Sequence, residues 1–214
     1  MSTPIRVALA DDQAILRGGL AALLAMETDL EVVGQAADCA ATCDLVAADA
    51  PDVLLLDVQM PAGTRADGSP GPADGIGVAE GLRDAGSATR VIVLTTFGRA
   101  GYLRRTLEAG ASGFMVKDSP VERLVDAVRR VHQGLRVVDP ELAAQSLAAG
   151  PNPLSSKETA VLQAAAGGGT TAQVAAAVFL SEGTVRNHIS SAIGKLGVTN
   201  RAEAVRAATE NGWI

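Results

Sequence analysis

The chain has 214 residues, long for one small domain and comfortable for two. Hydrophobic residues make up 48% and charged residues 20%, which excludes a disordered chain. The net charge of −6 is unevenly placed: residues 1–152 hold 13 Lys and Arg against 20 Asp and Glu, a balance of −7, and residues 153–214 hold 5 against 4, a balance of +1. Only the second part can approach a polyanion without strong repulsion.

Aromatic residues are only 2%, so the cores must be built from Ala, Val, Leu and Ile. Cys39 and Cys43 lie four apart on an expected helix and read as two small hydrophobes in a reducing compartment. No His lies near them to complete a metal site. The N-terminus carries no charged-then-apolar leader, and no apolar run approaches the ~20 residues of a membrane span. A soluble, cytoplasmic protein is expected.

In chain order, Ile5–Ala10 is a first strand that runs into Asp11-Asp12. Ile15, Leu16, Leu20, Leu23 and Leu24 follow helical spacing. Leu30–Gln35 is a second strand, and residues 39–48 form an Ala-rich helix stopped before Pro51. Val53–Leu56 is an uninterrupted apolar run, suited to a strand buried on both faces of a parallel sheet. It ends on Asp57 and breaks at Met60-Pro61. Val78 and Leu82 mark a third helix. Arg90–Thr95 is a fourth strand, and Tyr102–Ala109 is a helix closed by Gly110. Gly113–Val116 is a fifth strand ending at Lys117. Pro120 opens a fifth helix with Leu124, Val125 and Val128 as its apolar stripe.

Five alternations of strand and helix mark an α/β fold, a doubly wound, five-stranded parallel sheet. Right-handed crossovers bring the strand ends to one edge, where the chemistry of such sheets sits. That edge would gather Asp11, Asp12, Asp57, Thr95 and Lys117. Clustered carboxylates raise each other's pKa unless a cation joins them. Oxygen ligands of this type suit Mg²⁺.

Residues 5–130 resemble the receiver domain of two-component response regulators. The resemblance is carried by Ala10-Asp11-Asp12, Leu56-Asp57-Val58-Gln59-Met60-Pro61, Leu94-Thr95-Thr96 and Val116-Lys117-Asp118. It implies that Asp57 takes a phosphoryl group from a sensor kinase's phosphohistidine. It implies further that Asp11, Asp12, the Asp57 side chain and the Gln59 backbone carbonyl hold Mg²⁺. Lys117 and Thr95 would contact phosphoryl oxygens, and Phe114 matches the switch aromatic. Residues 95–102 with Lys117-Asp118-Ser119-Pro120 look like the subgroup typified by regulators of membrane-lipid desaturation. One departure stands out: Ala62 to Ala73, rich in Gly, Pro, Ala and Asp, replaces a crossing that is usually a few residues long. A mobile surface loop is expected there, with a lid carrying Arg65 or Asp67 as the sharper reading.

Residues 132–152 read as a linker with a short helix near 140–149, and His132 as a lone residue at a helix end. Ser155-Ser156-Lys157-Glu158 is a capping box before Val161-Leu162. Gly167-Gly168-Gly169 closes that helix, and Thr171–Val178 is the next. Ser181 caps a third, whose inner stripe is Val185, Ile189, Ile193 and Leu196 and whose outer face carries Arg186, Asn187 and Ser190. Gly197 stops it, and Asn200 starts a last helix ending near Trp213. Two helices joined by a tight turn suit either a helix-turn-helix or a small protein-binding bundle.

Residues 153–212 resemble the LuxR-type helix-turn-helix of the NarL/FixJ family. The match lies in Leu154-Ser155, Glu158, Val161-Leu162, Leu180-Ser181, Thr184 to His188, and Lys195 to Val198 with Arg201. It implies promoter DNA as a partner, with Arg186 and Lys195 at phosphates and Asn187 and Ser190 at base edges. Gln173 departs from the usual Glu, and Gly194 sits inside the recognition helix.

The expected organisation is a receiver domain at 1–131, a linker at 132–152 and an all-α DNA-binding domain at 153–214. The expected function is a phosphorylation-dependent transcription regulator that dimerises and is no enzyme beyond assisting its own phosphotransfer. A phosphoacceptor signalling adaptor with a protein-binding output domain, or a phosphorylation-independent regulator, is the rival reading. An aspartate-nucleophile phosphatase would want a second carboxylate two residues after the nucleophile, where this chain has Gln59.

Overall fold

The computed structural model describes residues 3–96, 100–140, 143 and 152–214. Two units are present and are described separately. The first begins with β1 (Ile5–Ala10), α1 (Ala14–Leu24), β2 (Leu30–Ala36), α2 (Cys39–Asp49) and β3 (Val53–Asp57). It continues with α3 (Gly75–Asp84), β4 (Arg90–Thr95), α4 (Ala100–Glu108), β5 (Gly113–Val116), α5 (Val121–His132) and β6 (Val137–Val138). The strands form one sheet in the order β2-β1-β3-β4-β5-β6, and every pairing is parallel.

All five residues of β3 are buried, as its unbroken apolar run requires. Val7, Leu9, Val53, Leu55, Ile92 and Leu94 face Leu124, Val128 and Val131 of α5 and Leu24 of α1 in one core. Each such side chain contributes roughly 1.5–3 kcal/mol by leaving water. Residues of the opposite parity, Ala8, Leu54, Leu56 and Val93, are buried as well. The first turns of α2 and α3 are capped by Asp38 and Asp74, whose carboxylates accept from Ala41 N and Gly77 N, each at 2.8 Å.

The sheet has six strands, not five. Gly134, at φ 86°, ends α5 and turns the chain back along the free edge of β5. There Val137 pairs with Gly113 and Val138 with Phe114. Two residues of the expected linker therefore belong to the sheet. The reason is tertiary: β5 would otherwise present an unpaired edge. The expected short helix near 140–149 lies almost wholly outside the described residues.

The second unit holds α6 (Ser156–Ala166), α7 (Thr171–Ala177), α8 (Glu182–Leu196) and α9 (Arg201–Glu210). The capping box at Ser155 and Glu158 forms in both directions. A second one, Thr170 with Gln173, opens α7, so Gln173 performs the capping that a Glu would. Val161, Ala165, Val174, Val185 and Ile189 make one core cluster. Leu154, Leu162, Ala192, Ala204 and Ala208 make another, against which Trp213 packs. Ile193 and Leu196, expected on the inner stripe, are half-buried, and Ala192 is fully enclosed.

Gly194 lies on the exposed side of α8, and a Cβ there would meet nothing. Gly194→Ala should therefore stabilise this unit by roughly 0.5–1 kcal/mol through reduced freedom of the unfolded chain. A urea melt followed by Trp213 fluorescence reads it, and a destabilised variant would mean that the position is not open.

Candidate functional site

The carboxyl edge of the sheet collects the side chains that end its strands. Asp57 closes β3 opposite Leu94 of β4, and Thr95 closes β4 opposite Val116 of β5. The Lys117 N–H donates to the Thr95 carbonyl at 2.8 Å, which fixes the start of the loop after β5. Asp11 follows β1 and donates its own N–H to the Ala36 carbonyl at 3.1 Å. Parallel strands in register thus bring four chain segments to one place.

Asp11, Asp57 and Thr95 are buried, and Asp12 is exposed. Carboxylate oxygens of Asp11, Asp12 and Asp57 lie within 4.8 Å of one another. The Lys117 ammonium, 6% exposed, sits 2.7 Å from Asp11 Oδ2 and 2.9 Å from Asp57 Oδ2. Both contacts are buried ion pairs, and Asp11 Oδ2 and Lys117 Nζ are shielded from water. The Gln13 N–H donates to Asp11 Oδ1 at 2.8 Å, and the Gln59 N–H to Asp57 Oδ1 at 3.2 Å. Arg17 donates to the Asp11 carbonyl. Phe114 is wholly buried on β5, and the Gln59 side chain is exposed.

Burial pushes the Asp57 carboxyl above its ordinary pKa, and the Asp11 charge adds to this. Lys117 and the Gln59 N–H pull the other way without cancelling the effect. Burial also opposes the Lys117 charge, but the Asp57 and Asp11 carboxylates outweigh it and hold the ammonium form. One ammonium against two buried carboxylates and a third nearby leaves net negative charge. An all-oxygen set of three carboxylates that one ammonium does not neutralise fits a hard divalent cation.

Gly75 is the residue that sequence reasoning left without a role. Its N–H donates to the Val58 carbonyl at 2.9 Å, and a Cβ there would stand 1.9 Å from the Asp57 carbonyl oxygen. Only glycine lets α3 start against the backbone that carries Asp57. Gly75→Ala should cost about 1–3 kcal/mol as overpacking and should displace the Asp57 segment. Calorimetry of the first unit checks this, and an unchanged transition would contradict it.

The segment from Ala62 to Ala73 is not a loose loop. Thr64 and Pro70 form an antiparallel bridge. Arg65 N donates to Ser69 O at 2.9 Å, and Gly71 N to Gly63 O at 3.2 Å. Asp67 Oδ1 accepts from the Ser69 N–H and hydroxyl at 2.9 and 2.6 Å. The base of this hairpin is seated on α2, where Cys39 N and Ala40 N donate to Pro61 O and Ala62 O at 2.9 and 3.0 Å. Its carbonyls thereby satisfy first-turn amides that a helix leaves open. Beneath it Cys39 is buried, which pushes its thiol up to about 12, and Cys43 is half-buried; both are free.

In the second unit Arg186, Asn187 and Ser190 are exposed along one face of α8. Arg186 pairs with Glu182 one turn earlier at 3.0 Å. His188 is half-buried. Lys195, expected at a phosphate, meets the buried Glu158 carboxylate at 2.6 Å. Arg201 donates to the Gly169 and Ala165 carbonyls at 3.0 and 3.2 Å, which closes the end of α6. Among the described residues no helix is long and apolar enough to cross a membrane.

Residues 7–129 match the family model of the response regulator receiver domain, and residues 152–208 match that of the bacterial regulatory proteins of the luxR family. Two proteins of Bacillus subtilis, the transcriptional regulatory proteins YvfU and DesR, are each 40% identical over 210 residues. The matches cover 98% of this chain in both cases, with 100% of YvfU and 99% of DesR. The crystal structure of the response regulator ChrA, from a heme-sensing two-component system, matches with 35% identity over the full length of both chains and a TM-score of 0.57. The chain belongs to the two-component response regulators of the NarL/FixJ type, a receiver domain joined to a LuxR-type DNA-binding domain that regulates transcription.

Proposed function

We propose that Asp57 is the phosphoacceptor and that its phosphorylation by a sensor histidine kinase sets promoter binding by the C-terminal helices. The observation that carries this is the Lys117 ammonium held at 2.7 and 2.9 Å from the buried Asp11 and Asp57 carboxylates. An Asp57 oxygen attacks the phosphorus of the phosphohistidine, the P–N bond breaks, and its electron pair returns to the imidazole. Such transfer depends on positioning and charge neutralisation more than on covalent help.

The Asp57 N-terminal neighbours in β3 fix the attacking oxygen, and the Gln59 N–H orients the carboxylate. Lys117 neutralises charge on the incoming phosphoryl oxygens, and Thr95 is the hydroxyl placed to contact them. Asp11, Asp12, the Asp57 carboxylate and the Gln59 carbonyl would hold Mg²⁺, which supplies further positive charge when bound. Phe114 is assigned to the switch that follows Thr95. Gln59, which cannot serve as a second acid or base, supports a chain that assists its own phosphorylation and dephosphorylation and turns over no other substrate.

The exposed Arg186, Asn187 and Ser190 are assigned to DNA, Asn187 and Ser190 to base edges. Low basicity per chain favours a dimer on paired half-sites. The domains run from 1 to 131 and from 153 to 214, with the linker between them now entering the sheet at Val137–Val138. The protein acts in the cytoplasm, where kinase and promoter meet. The test is a gel shift with duplex selected from a random pool, before and after incubation with acetyl phosphate and Mg²⁺. Tighter, cooperative, steeply salt-dependent binding after treatment is expected. Binding that ignores phosphorylation would overturn the coupling, and no salt-dependent binding would favour a protein-binding adaptor.

A further inference from the structure

Glu158 lies on α6, yet both its carboxylate oxygens are committed to α8 and to the helix start. Oε1 accepts from the Ser191 hydroxyl at 2.7 Å. Oε2 accepts from Lys195 Nζ at 2.6 Å and from the Ser155 N–H at 2.7 Å. The Glu158 side chain is 6% exposed, whereas Lys195 is 39% exposed. A carboxylate buried to this degree, with three donors, holds its partners far more firmly than a surface pair does.

We infer that Glu158 and Lys195 are positioning residues, a strut that fixes the C-terminal half of the recognition helix on α6, and that Lys195 is not a phosphate contact. The inference rests on the DNA-binding reading of α8. Ser191 and Lys195 lie four apart on one face of that helix, so one carboxylate grips it at two successive turns. Arg186, Asn187 and Ser190 are thereby held at a fixed rotation about the helix axis. A lysine bound to a buried carboxylate releases no counterion when DNA arrives, so it adds nothing to the salt dependence of binding.

The test uses the full chain, its Glu158→Gln, Lys195→Gln and Ser191→Ala variants, and duplex selected by the wild type. Charge alone predicts that Glu158→Gln tightens binding, because a negative group leaves the neighbourhood of a polyanion. The strut predicts the opposite, a several-fold weakening. For Lys195→Gln it predicts weakening with the salt slope unchanged, where loss of a phosphate contact would reduce the slope by about 1. Tighter binding by Glu158→Gln, or a reduced slope for Lys195→Gln, overturns the inference. Should Glu158→Gln fail to fold, Ser191→Ala, which removes one hydroxyl from the same carboxylate, carries the affinity test.

A readout without DNA separates this inference from the reading beneath it. The chain has three lysines, Lys117, Lys157 and Lys195. Amine labelling followed by mass spectrometry should modify exposed Lys157 quickly and Lys195 slowly, and the protection should vanish in Glu158→Gln. Equal labelling of Lys157 and Lys195 in the wild type would remove the strut whatever DNA does. Protected Lys195 in a chain that selects no duplex would leave the strut standing and overturn the DNA-binding reading instead.

Discussion

Asp57→Asn should abolish phosphoryl incorporation outright and stabilise the receiver in the absence of divalent cation. Wild type incubated with acetyl phosphate and Mg²⁺ should gain one phosphoryl group by intact mass, and the variant none, because an amide cannot replace the attacking carboxylate. Sizing in parallel should show wild type alone moving toward dimer. The stability effect follows from the same geometry. Asp11, Asp57 and Lys117 together carry one more negative charge than positive, and burial already raises the Asp57 pKa. With Asn at 57, Lys117 keeps Asp11 at 2.7 Å and the buried pair becomes balanced. Relief of like-charge repulsion at a functional site is worth about 1 kcal/mol. Calorimetry without Mg²⁺ measures it. Phosphoryl gain by the variant would move the acceptor elsewhere, with Asp11 and Asp12 next in line. A lower transition temperature would mean that Lys117 needs both carboxylates.

Strands β1, β3, β4 and β5 were legible because each is a largely apolar run that leads into a polar residue. Ile5–Ala10, Arg90–Thr95 and Gly113–Val116 form at the bounds their sequence implies. The residues ending those runs reach one edge because register in a parallel sheet leaves them no alternative. What the sequence hid was tertiary. Val137–Val138 is too short for any periodicity and becomes a strand only because β5 has a free edge. The Ala62–Ala73 stretch has loop composition, yet Gly68 at φ 82° and the Thr64–Pro70 bridge fold it back on itself. The start of α2 then takes up its carbonyls. The Thr170–Gln173 capping box has its signal in plain view, a Thr followed three residues later by a Gln. Lys195 could be read as a free cation because Glu158 is 37 residues away in sequence.

Glu158 also makes the second unit sensitive to acid, with a sign that can be worked out. Burial opposes its charge, but the Lys195 ammonium, the Ser155 N–H and the Ser191 hydroxyl outweigh burial and bring its pKa from 4.5 to about 2. A carboxylate depressed in the folded state binds its proton more readily when unfolded. Its stabilisation is therefore fully present above pH 4.5 and is lost as pH falls toward about 2. At about 1.4 kcal/mol per pH unit, the whole effect is on the order of 3 kcal/mol, of which about 2 is gone by pH ~3. The single tryptophan, Trp213, is half-buried against the core of this unit and reports its unfolding apart from the receiver. Urea melts of wild type and Glu158→Gln by Trp213 fluorescence should show a stability gap that is constant from pH ~7 to ~5 and shrinks by about 2 kcal/mol at pH ~3. Taking the gap between the two proteins removes every other carboxylate that titrates in that range, including Glu203 of α9, whose pKa is lowered by hydrogen bonds from the Thr199 N–H and hydroxyl. A gap that stays constant to pH ~3 would mean that Glu158 titrates normally. The carboxylate would then not grip Lys195 and Ser191 in solution, and α8 would owe its orientation to its apolar stripe, Val185, Ile189 and Ala192 with half-buried Ile193 and Leu196.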